Sequence, residues 1–142
     1  MAISVFSVGR DTQLVVVGPS GTIDLAHVTS FESRQVTQSV RVNRLDGSQM
    51  GMELPKGWEG SFELERGDSV VEDFIAGTEQ SYYDGSISAT STMYQYVSEV
   101  DGSTSTYQYD SLVFRLTNAG LWKGDAAVKQ KLEFFGSRRR RI

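Results

Sequence analysis

The residues with the most evident chemical potential are three glutamates, Glu59, Glu63 and Glu65, which lie close together in the segment WEGSFELER. Two neighbouring carboxylates can serve as the catalytic pair of a glycosidase, which holds them on either side of the bond that it breaks. Strict alternation instead places the glutamates on one side of a single strand. The other side of that strand is apolar and carries Trp58, Phe62 and Leu64. The flanking sequence suggests no substrate cleft, so we interpret the glutamates as a carboxylate-bearing strand face and expect no enzymatic activity.

The chain has one histidine, His27, and no cysteine. A metal site needs several convergent ligands, and a catalytic triad needs a nucleophile beside its histidine. A single histidine without thiols satisfies neither, so we expect no metal, no cofactor and no triad. We interpret His27 as an ordinary residue at the start of a strand. The lack of cysteine excludes disulfides and suits folding in a reducing cytoplasm.

Two YQY motifs, at residues 94–96 and 107–109, each place two tyrosines on one face of a strand. Such a pair could stack against a glycan or a single-stranded nucleic acid. Cross-strand aromatic packing, within the sheet or at a subunit contact, is the interpretation that we prefer.

Charge is distributed unevenly along the 142 residues. The formal net charge is −4, and four positive charges stand together at Arg138, Arg139, Arg140 and Arg141, so the rest of the chain carries −8. An acidic body argues against wrapping nucleic acid over its general surface, because phosphate binding needs clustered Lys and Arg. The arginine run is interpreted as a flexible solvated tail, or as a contact with an acidic patch on another molecule, with non-specific DNA binding as a third possibility.

No apolar run approaches the roughly 18 residues that a membrane span requires. The N-terminal segment MAISVFSVGRDTQ lacks the basic region and long apolar core of a signal peptide. We therefore expect no membrane association.

Strand patterns dominate the chain, at about residues 12–18, 28–45, 58–66, 87–100, 105–116 and 121–135. The dipeptide DG at residues 101–102 predicts a hairpin between the fourth and fifth of these strands. The segment DGSQMGMELPKG is predicted to be an extended loop between the second and third. The final strand is expected to have one apolar face, carrying Trp122, Ala126, Val128, Leu132 and Phe134, and one charged face, carrying Lys123, Asp125, Lys129, Lys131 and Glu133.

One amphipathic helix is predicted after Gly67. Ser69 and Glu72 match a capping box, and acidic residues in the first turn suit the helix dipole. Gly85 is a plausible end. An apolar stripe follows helical spacing through Val71, Phe74, Ile75, Thr78 and Tyr82.

These elements predict a single mainly β domain over residues 1–142: an antiparallel sandwich or partial barrel with one packed helix. The strands are long, and their polar faces and edges would be exposed in an isolated sandwich, although proteins normally cover such edges. Joining edges between subunits would close a large barrel whose polar faces line a wet channel.

The order of parts resembles that of a phage tail tube protein, more closely one from a contractile tail. The resemblance covers nearly the whole chain: the long hairpin with its extended loop, the helix DSVVEDFIAGTEQSYYD, the VDGS hairpin and the final strand AVKQKLEFFGS. It implies hexameric rings, closed by strands from six subunits and stacked into a tube that conducts the genome. It also implies contacts with sheath, baseplate and tail-completion proteins, passage of double-stranded DNA without sequence-specific binding, assembly in the host cytoplasm and a place in the virion tail.

The resemblance also assigns roles to particular residues. A lumen-facing set is expected at Arg41, Glu59, Glu63 and Glu65, whose carboxylates repel DNA phosphates. Because Arg41, Lys129 and Lys131 also fall on polar faces and can pair with the glutamates across strands, we expect a mixed bore that leans acidic. The alternative for the glutamates is a solvated outer strand face. Contacts between rings are expected from the loop, at Asp46, Gly47, Met50, Met52, Pro55 and Lys56. Arg138, Arg139, Arg140 and Arg141 lie outside the resemblance, and the acidic patch that they could contact would belong to the next ring or the sheath.

Two other functions remain open at this point. The same fold serves the inner tubes of type VI secretion systems and tailocins. From a different class, a small β-sandwich could bind glycan through its tyrosines.

Overall fold

The computed structural model describes residues 8–18, 21–24, 28–85 and 90–142, and His27 lies outside them. A short 3₁₀ turn at Gly9–Asp11 precedes the first strand. The elements that follow are β1 Thr12–Gly18, β2 Gly21–Asp24, β3 Val28–Asn43, β4 Gln49–Glu65, α1 Val70–Tyr83, β5 Ser91–Ser98, β6 Thr104–Asn118, β7 Lys129–Gly136 and β8 Arg138–Arg141.

The eight described strands pair antiparallel in the order β2-β1-β5-β6-β7-β4-β3, with β8 also on β6. The first half of β6 pairs with β5 and β8, and its second half pairs with β7. We call β2, β1, β5, the first half of β6 and β8 sheet I, and the second half of β6, β7, β4 and β3 sheet II. The strand β6 passes from one sheet to the other near Ser111, whose φ is +54°. The prediction of a mainly β, antiparallel fold with one helix is confirmed, and the sheet is not closed on itself.

The core lies between the two sheets and is rich in aromatic rings. Phe134 of β7 stacks on Phe31 at 5.9 Å and meets Tyr109 edge-on at 5.7 Å. Tyr109 is fully buried, and its hydroxyl lies 3.1 Å from Ser33 Oγ and 3.2 Å from Gln95 Oε1. Burial raises the pKa of Tyr109, which therefore stays a neutral phenol that ties the two sheets together.

Both long hairpins turn on the same three residues, Asp-Gly-Ser. Asp46 Oδ1 accepts the Ser48 backbone N–H at 2.9 Å, and Asp101 does the same for Ser103. The glycine between them has φ of +85° at Gly47 and +89° at Gly102, the left-handed region that glycine adopts without strain. The hairpin predicted from DG is therefore confirmed.

The prediction of an extended loop over DGSQMGMELPKG is wrong for most of that segment. The turn occupies only residues 44–48, because the backbone closes through Arg44 N–H to Ser48 O at 2.9 Å, and β4 begins at Gln49. The Gly, Met and Pro residues made this strand look like a loop in the sequence, although it pairs with β3 from Gln49 to Leu64.

The predicted helix is present, and its predicted end is confirmed, since α1 stops at Tyr83 and Gly85 has φ of +90°. The prediction of a capping box between Ser69 and Glu72 is wrong. Ser69 is the N-cap residue, but its hydroxyl bonds the Asp73 carboxylate, whereas Asp68 accepts the Val70 N–H at 3.1 Å.

The Glu72 carboxylate instead bonds two side chains outside the helix. It accepts Arg66 Nε at 2.5 Å and Gln130 Nε2 at 2.8 Å, so it links the helix start to β7. The hydrogen bond from Arg66 holds the Glu72 pKa below its usual value.

Only the first half of the predicted apolar stripe is packed. Val71 is buried, and Phe74 meets Phe114 of β6 edge-on at 5.6 Å. Thr78 is exposed, and the Tyr82 side chain is 71% exposed. The helix therefore covers one end of the sandwich and projects beyond it.

The last predicted strand is also corrected. Residues 121–128 are not strand, and Leu121 and Trp122 are each 65% exposed. Trp122 lies under the Arg66 guanidinium at 5.1 Å and not in the core. The strand begins at Lys129, where β4 offers a partner at Glu65.

Candidate functional site: the charged face of sheet II and the hairpin arm

The predicted glutamate face exists on sheet II, with the partners that the neighbouring strands supply. The apolar side of β4 is buried at Phe62 and Leu64, as predicted. On the other side, Glu59 lies opposite Arg34 of β3, and the Arg34 Nε donates to Glu59 Oε1 at 2.7 Å. This hydrogen bond raises the pKa of Arg34 above its usual value.

The other glutamates of β4 face cations on β7. Glu63 lies opposite Lys131, and Glu65 lies opposite Lys129. Residues directly opposite on neighbouring strands share a face, so each carboxylate has a positive charge beside it.

A further ion pair lies one strand outward, where Glu133 of β7 bonds Arg115 of β6. Across all four strands, the charged face carries five carboxylates and four cations. They are Glu32, Glu59, Glu63, Glu65 and Glu133, and Arg34, Arg115, Lys129 and Lys131. The face is thus nearly charge-balanced and slightly acidic.

Arg41 does not join this face. It lies opposite Gly51, far along the hairpin. Alternation along β3 places Arg41 on the side of Phe31 and Ser33, which face the core, whereas Arg34 is on the side of the glutamates. The structure therefore brings together three of the four residues that the sequence grouped.

Beyond residue 57, towards the turn, β3 and β4 leave the body as a two-stranded arm, which we define as residues 37–55. β7 pairs with β4 only as far as Trp58, opposite Gly136. Gly57 has φ of +117°, and a Cβ there would lie 2.5 Å from the Gly136 carbonyl oxygen. This close approach, together with a bulge between Val36 and Thr37 where β4 carries one extra residue, marks the base of the arm.

The arm has two different faces. Val40 lies opposite Met52 and Val42 opposite Met50, whereas Ser39 lies opposite Glu53. One side of the arm carries five apolar side chains, and we call it the apolar arm face: Val40, Val42, Met50, Met52 and Leu54. Met50, Met52 and Val42 are exposed by 52–58%.

The opposite face of the arm is polar and internally bonded. The Ser39 hydroxyl donates to Glu53 Oε1 at 2.6 Å, and hydrogen bonds from Ser39 and then Thr37 lower the Glu53 pKa. Because the extra residue of the bulge is on β4, alternation continues unbroken on β3. The apolar arm face therefore continues the side of β3 that carries Arg34.

The residues predicted to contact another ring are divided among three parts of the arm. Asp46 and Gly47 form the turn, Met50 and Met52 belong to the apolar arm face, and Pro55 and Lys56 lie at the bulge. The adjoining Leu45 side chain is fully exposed at the tip. The sequence pointed to the methionines but not to their pairing with the valines of β3. The reason is that residues 49–55, which carry the methionines, are predicted as loop and form a strand.

The arginine run forms a strand, so the prediction of a flexible tail is wrong. In β8, the Arg139 guanidinium lies 3.8 Å from the centre of the Tyr107 ring and 4.8 Å from that of Trp58. Arg140 Nε donates to Asp110 Oδ2 at 2.8 Å, and Arg141 reaches the Ser105 hydroxyl. Arg138 lies opposite Asp110 and is exposed. Alternating aromatic partners on β6 were the signal in the sequence that could have predicted this strand.

The tyrosine motifs face opposite sides of sheet I. Tyr94 and Tyr96 stack at 6.4 Å on the outer side, opposite Gln108 and Thr106. Tyr107 and the buried Tyr109 face inward, where they pack against Arg139. The two motifs therefore form no common platform: Tyr94 and Tyr96 stack on each other along β5, whereas Tyr109 packs on aromatic rings of sheet II.

Within residues 8–18, 21–24, 28–85 and 90–142, no three His, Asp or Glu side chains are grouped to hold a metal ion. In the same part of the chain, no helix has the length and apolar character needed to cross a bilayer.

Comparison with known proteins identifies solved structures that have a similar fold. No family model matches the sequence, and no curated protein resembles it at the level of sequence. Among solved structures, the chain is similar to the PVC sheath/tube terminator of an extracellular contractile injection system, with a TM-score of 0.70, 9% identity and 99% of both chains covered. It is similar to the tube-terminating cap of the anti-feeding prophage, with a TM-score of 0.69, 7% identity, and 100% of this chain and 94% of that chain covered.

A third likeness is to the PVC sheath-tube complex in its extended state, with a TM-score of 0.64 and 10% identity over 99% of this chain and 90% of that chain. At such identities the likeness is one of fold. The chain therefore has the fold found in contractile injection systems, and its resemblance to contractile-tail tube proteins is confirmed at that level.

Proposed function

We propose that this protein is a non-enzymatic structural subunit of a contractile-type tail tube. The observation that carries the proposal is the form of sheet II, whose four strands have unpaired outer edges on both sides. Among the described strands, β3 pairs only with β4, and the second half of β6 pairs only with β7. Open edges of this length favour association, because their N–H and C=O groups lack partners.

Joining β6 of one subunit to β3 of the next continues sheet II from subunit to subunit. Closing that continuous sheet produces a ring with a central barrel. Six subunits are the number that the tail-tube resemblance implies, and each would contribute four strands to the barrel wall. The ring is thus built by backbone hydrogen bonding between identical chains.

The charged face of sheet II would line the bore. Its slight excess of carboxylates offers a polyanion no net attraction, and its ion pairs leave few cations free to bind phosphate. Double-stranded DNA would therefore slide through without sequence-specific binding. The partners of such a tube are further copies of itself, the sheath, the baseplate and tail-completion proteins, in a virion tail assembled in the host cytoplasm.

The arm, with Asp46, Gly47, Met50, Met52, Pro55 and Lys56, would contact the next ring. The arginines of β8 would offer exposed cations, chiefly Arg138, to the next ring or the sheath. Stacking of this kind is head-to-tail and has no natural end, so it produces a tube. The inner tube of a secretion system or tailocin would use the same architecture with a different cargo.

A second candidate is a terminator subunit, which forms one ring at the end of a tube and stops its growth. The likenesses to a sheath/tube terminator and a tube-terminating cap, at TM-scores of 0.70 and 0.69 against 0.64 for the sheath-tube complex, favour it. The two roles share the ring and differ in whether a ring accepts another on both faces.

Electron microscopy of the purified protein, with sedimentation over a range of concentrations, separates these functions. We expect rings that stack into tubes as concentration rises. Single rings that never stack at any concentration would favour the terminator. A stable monomer throughout would contradict both and leave a separate binding module, such as the glycan-binding sandwich, as the better description.

A further inference from the structure

We propose that the apolar arm face packs on the loop around Leu121 and Trp122 of a second copy, at the opposite end of that molecule. This inference rests on the proposed tube and specifies which surfaces meet between rings.

The described residues do not bury the apolar face of the arm. Among them, residues 37–55 pair only with each other, and Met50, Met52 and Val42 remain more than half exposed. Each strand of the arm has seven residues, which span about 23 Å at roughly 3.3 Å per residue. An isolated two-stranded hairpin of this kind is marginally stable in water, so the arm needs a partner surface.

The two faces of the arm differ in what they need from a partner. The polar face satisfies itself through the Ser39–Glu53 hydrogen bond and is compatible with water. The five residues of the apolar arm face are aliphatic or methionine, with the Arg44 guanidinium bonded to Met50 Sδ near the tip, and the flexible thioethers of the two methionines adapt to a partner surface. Removal from water therefore stabilises one face and not the other.

A complementary surface lies at the far end of the same molecule. β4 runs from the arm to Glu65, which pairs with Lys129 at the start of β7. The loop that precedes Lys129 carries Leu121 and Trp122, each 65% exposed. Apolar surface is thus displayed at both ends of sheet II.

The loop around Trp122 is supported from beneath. The Arg66 guanidinium lies 5.1 Å from the Trp122 ring centre, and Arg66 is itself held by Glu72, which also accepts Gln130. One side of the indole therefore rests on a fixed cation, which leaves the other side for a partner.

A second copy is the occupant that matches this arrangement. Each molecule has one arm at one end and one Leu121–Trp122 loop at the other, so every contact leaves a free arm and a free loop for the next copy. Such a heterologous contact repeats without closing, and it covers every arm except those of the end ring.

Cysteine cross-linking tests the contact, because the chain has no cysteine of its own. Met52→Cys combined with Leu121→Cys should, on oxidation with diamide, give a ladder of disulfide-linked dimers, trimers and longer oligomers on a non-reducing gel. Each single variant should give no ladder. Glu53→Cys with Leu121→Cys is the matched control, since Glu53 is one residue away on the opposite face, and it should cross-link several-fold less.

A second pair of variants tests the energetics. Met52→Asp should abolish stacking while rings persist, whereas Glu53→Gln should leave tube length unchanged. Both side chains are exposed in the single subunit, so thermal unfolding of the subunit should be the same for both.

The outcomes distinguish this inference from the proposed function. Tubes that form normally but give a ladder from the Glu53 pair, or from neither pair, would overturn the docking of the apolar arm face and leave the tube intact. If the unsubstituted protein forms no stacked rings, the proposed tube itself fails.

Discussion

Reversal of charge at Glu59, Glu63 and Glu65 gives the most direct test of where sheet II faces. Replacing all three with lysine changes the charged face from five carboxylates and four cations to two carboxylates and seven cations. The net charge of that face changes from −1 to +5 per subunit. A bore that offered no attraction to a polyanion becomes one that binds it.

The salt dependence sets the expected size of the effect. If two neighbouring subunits each place three lysines on phosphates, about six contacts form, and the logarithm of the affinity falls with that of the salt concentration with a slope near −0.9 per contact. Raising the salt from about 50 to 200 mM should therefore weaken DNA retention by roughly 10³-fold. Replacement of the same glutamates by glutamine should give tubes without DNA.

Nuclease protection reports where the DNA is. Tubes of the lysine variant, assembled with labelled double-stranded DNA, should retain DNA that nuclease cannot reach at low salt and release it at high salt. A matched control places three lysines elsewhere, at Glu79, Glu99 and Asp125, and should bind only DNA that nuclease digests. Digestible DNA on the first variant would place the glutamates on the outer wall, and the reasoning would be refuted.

Four further substitutions test the packing and the pH response. Phe74→Ala should lower the free energy of unfolding by about 2–3 kcal/mol, less than the roughly 3–5 kcal/mol of a fully buried ring, whereas Tyr82→Ala should change it by less than about 0.5 kcal/mol in urea titrations. Gly60→Ala should lower the melting temperature markedly, because a Cβ there would lie 2.1 Å from a backbone carbonyl oxygen of β3, and an unchanged value would contradict that contact. The lowered pKa of Glu72 beside Arg66 means that this pair contributes fully above the ordinary glutamate pKa of 4.5 and is lost as the pH falls through the folded-state value. Glu72→Gln should therefore make stability less dependent on pH in that acidic window, and an unaltered pH profile would show that the pair contributes nothing.

The parts of the fold that could be predicted from sequence are those with local signals. The alternation around Phe62 and the left-handed glycine at Gly102 depend on neighbouring residues alone, so both were found. Alternation alone offered Lys129 and Lys131 as cross-strand partners of the glutamates, and the structure places them opposite Glu65 and Glu63. Arg34, which bonds Glu59 across 25 positions, could not be found in this way, because that pairing depends on the register of the assembled sheet.

The errors have a common cause, which is competition from distant residues. Glu72 would cap the helix locally, but it bonds Arg66 and, 58 positions away, Gln130 instead. The arginine run would be solvated in isolation, but the aromatic rings of β6 attract Arg139. Residues 49–57 have the composition of an irregular segment, yet pairing with the long strand β3 makes them a strand. Local sequence favours one conformation of a segment, and tertiary contacts determine whether the segment adopts it.

The position of β7 has a consequence for how the subunit folds. This strand lies between β4 and β6, and it pairs Glu65 with Lys129 and Trp58 with Gly136, residues that are far apart along the chain. Contacts between such distant residues form slowly, because loop closure precedes any stabilisation. Until β7 is inserted, β3 with β4 and the second half of β6 belong to separate pieces joined only by connecting chain. The two edges through which subunits would join thus acquire their fixed spacing only when this long-range pairing forms, so an incompletely folded chain presents no matched pair of edges to a growing ring.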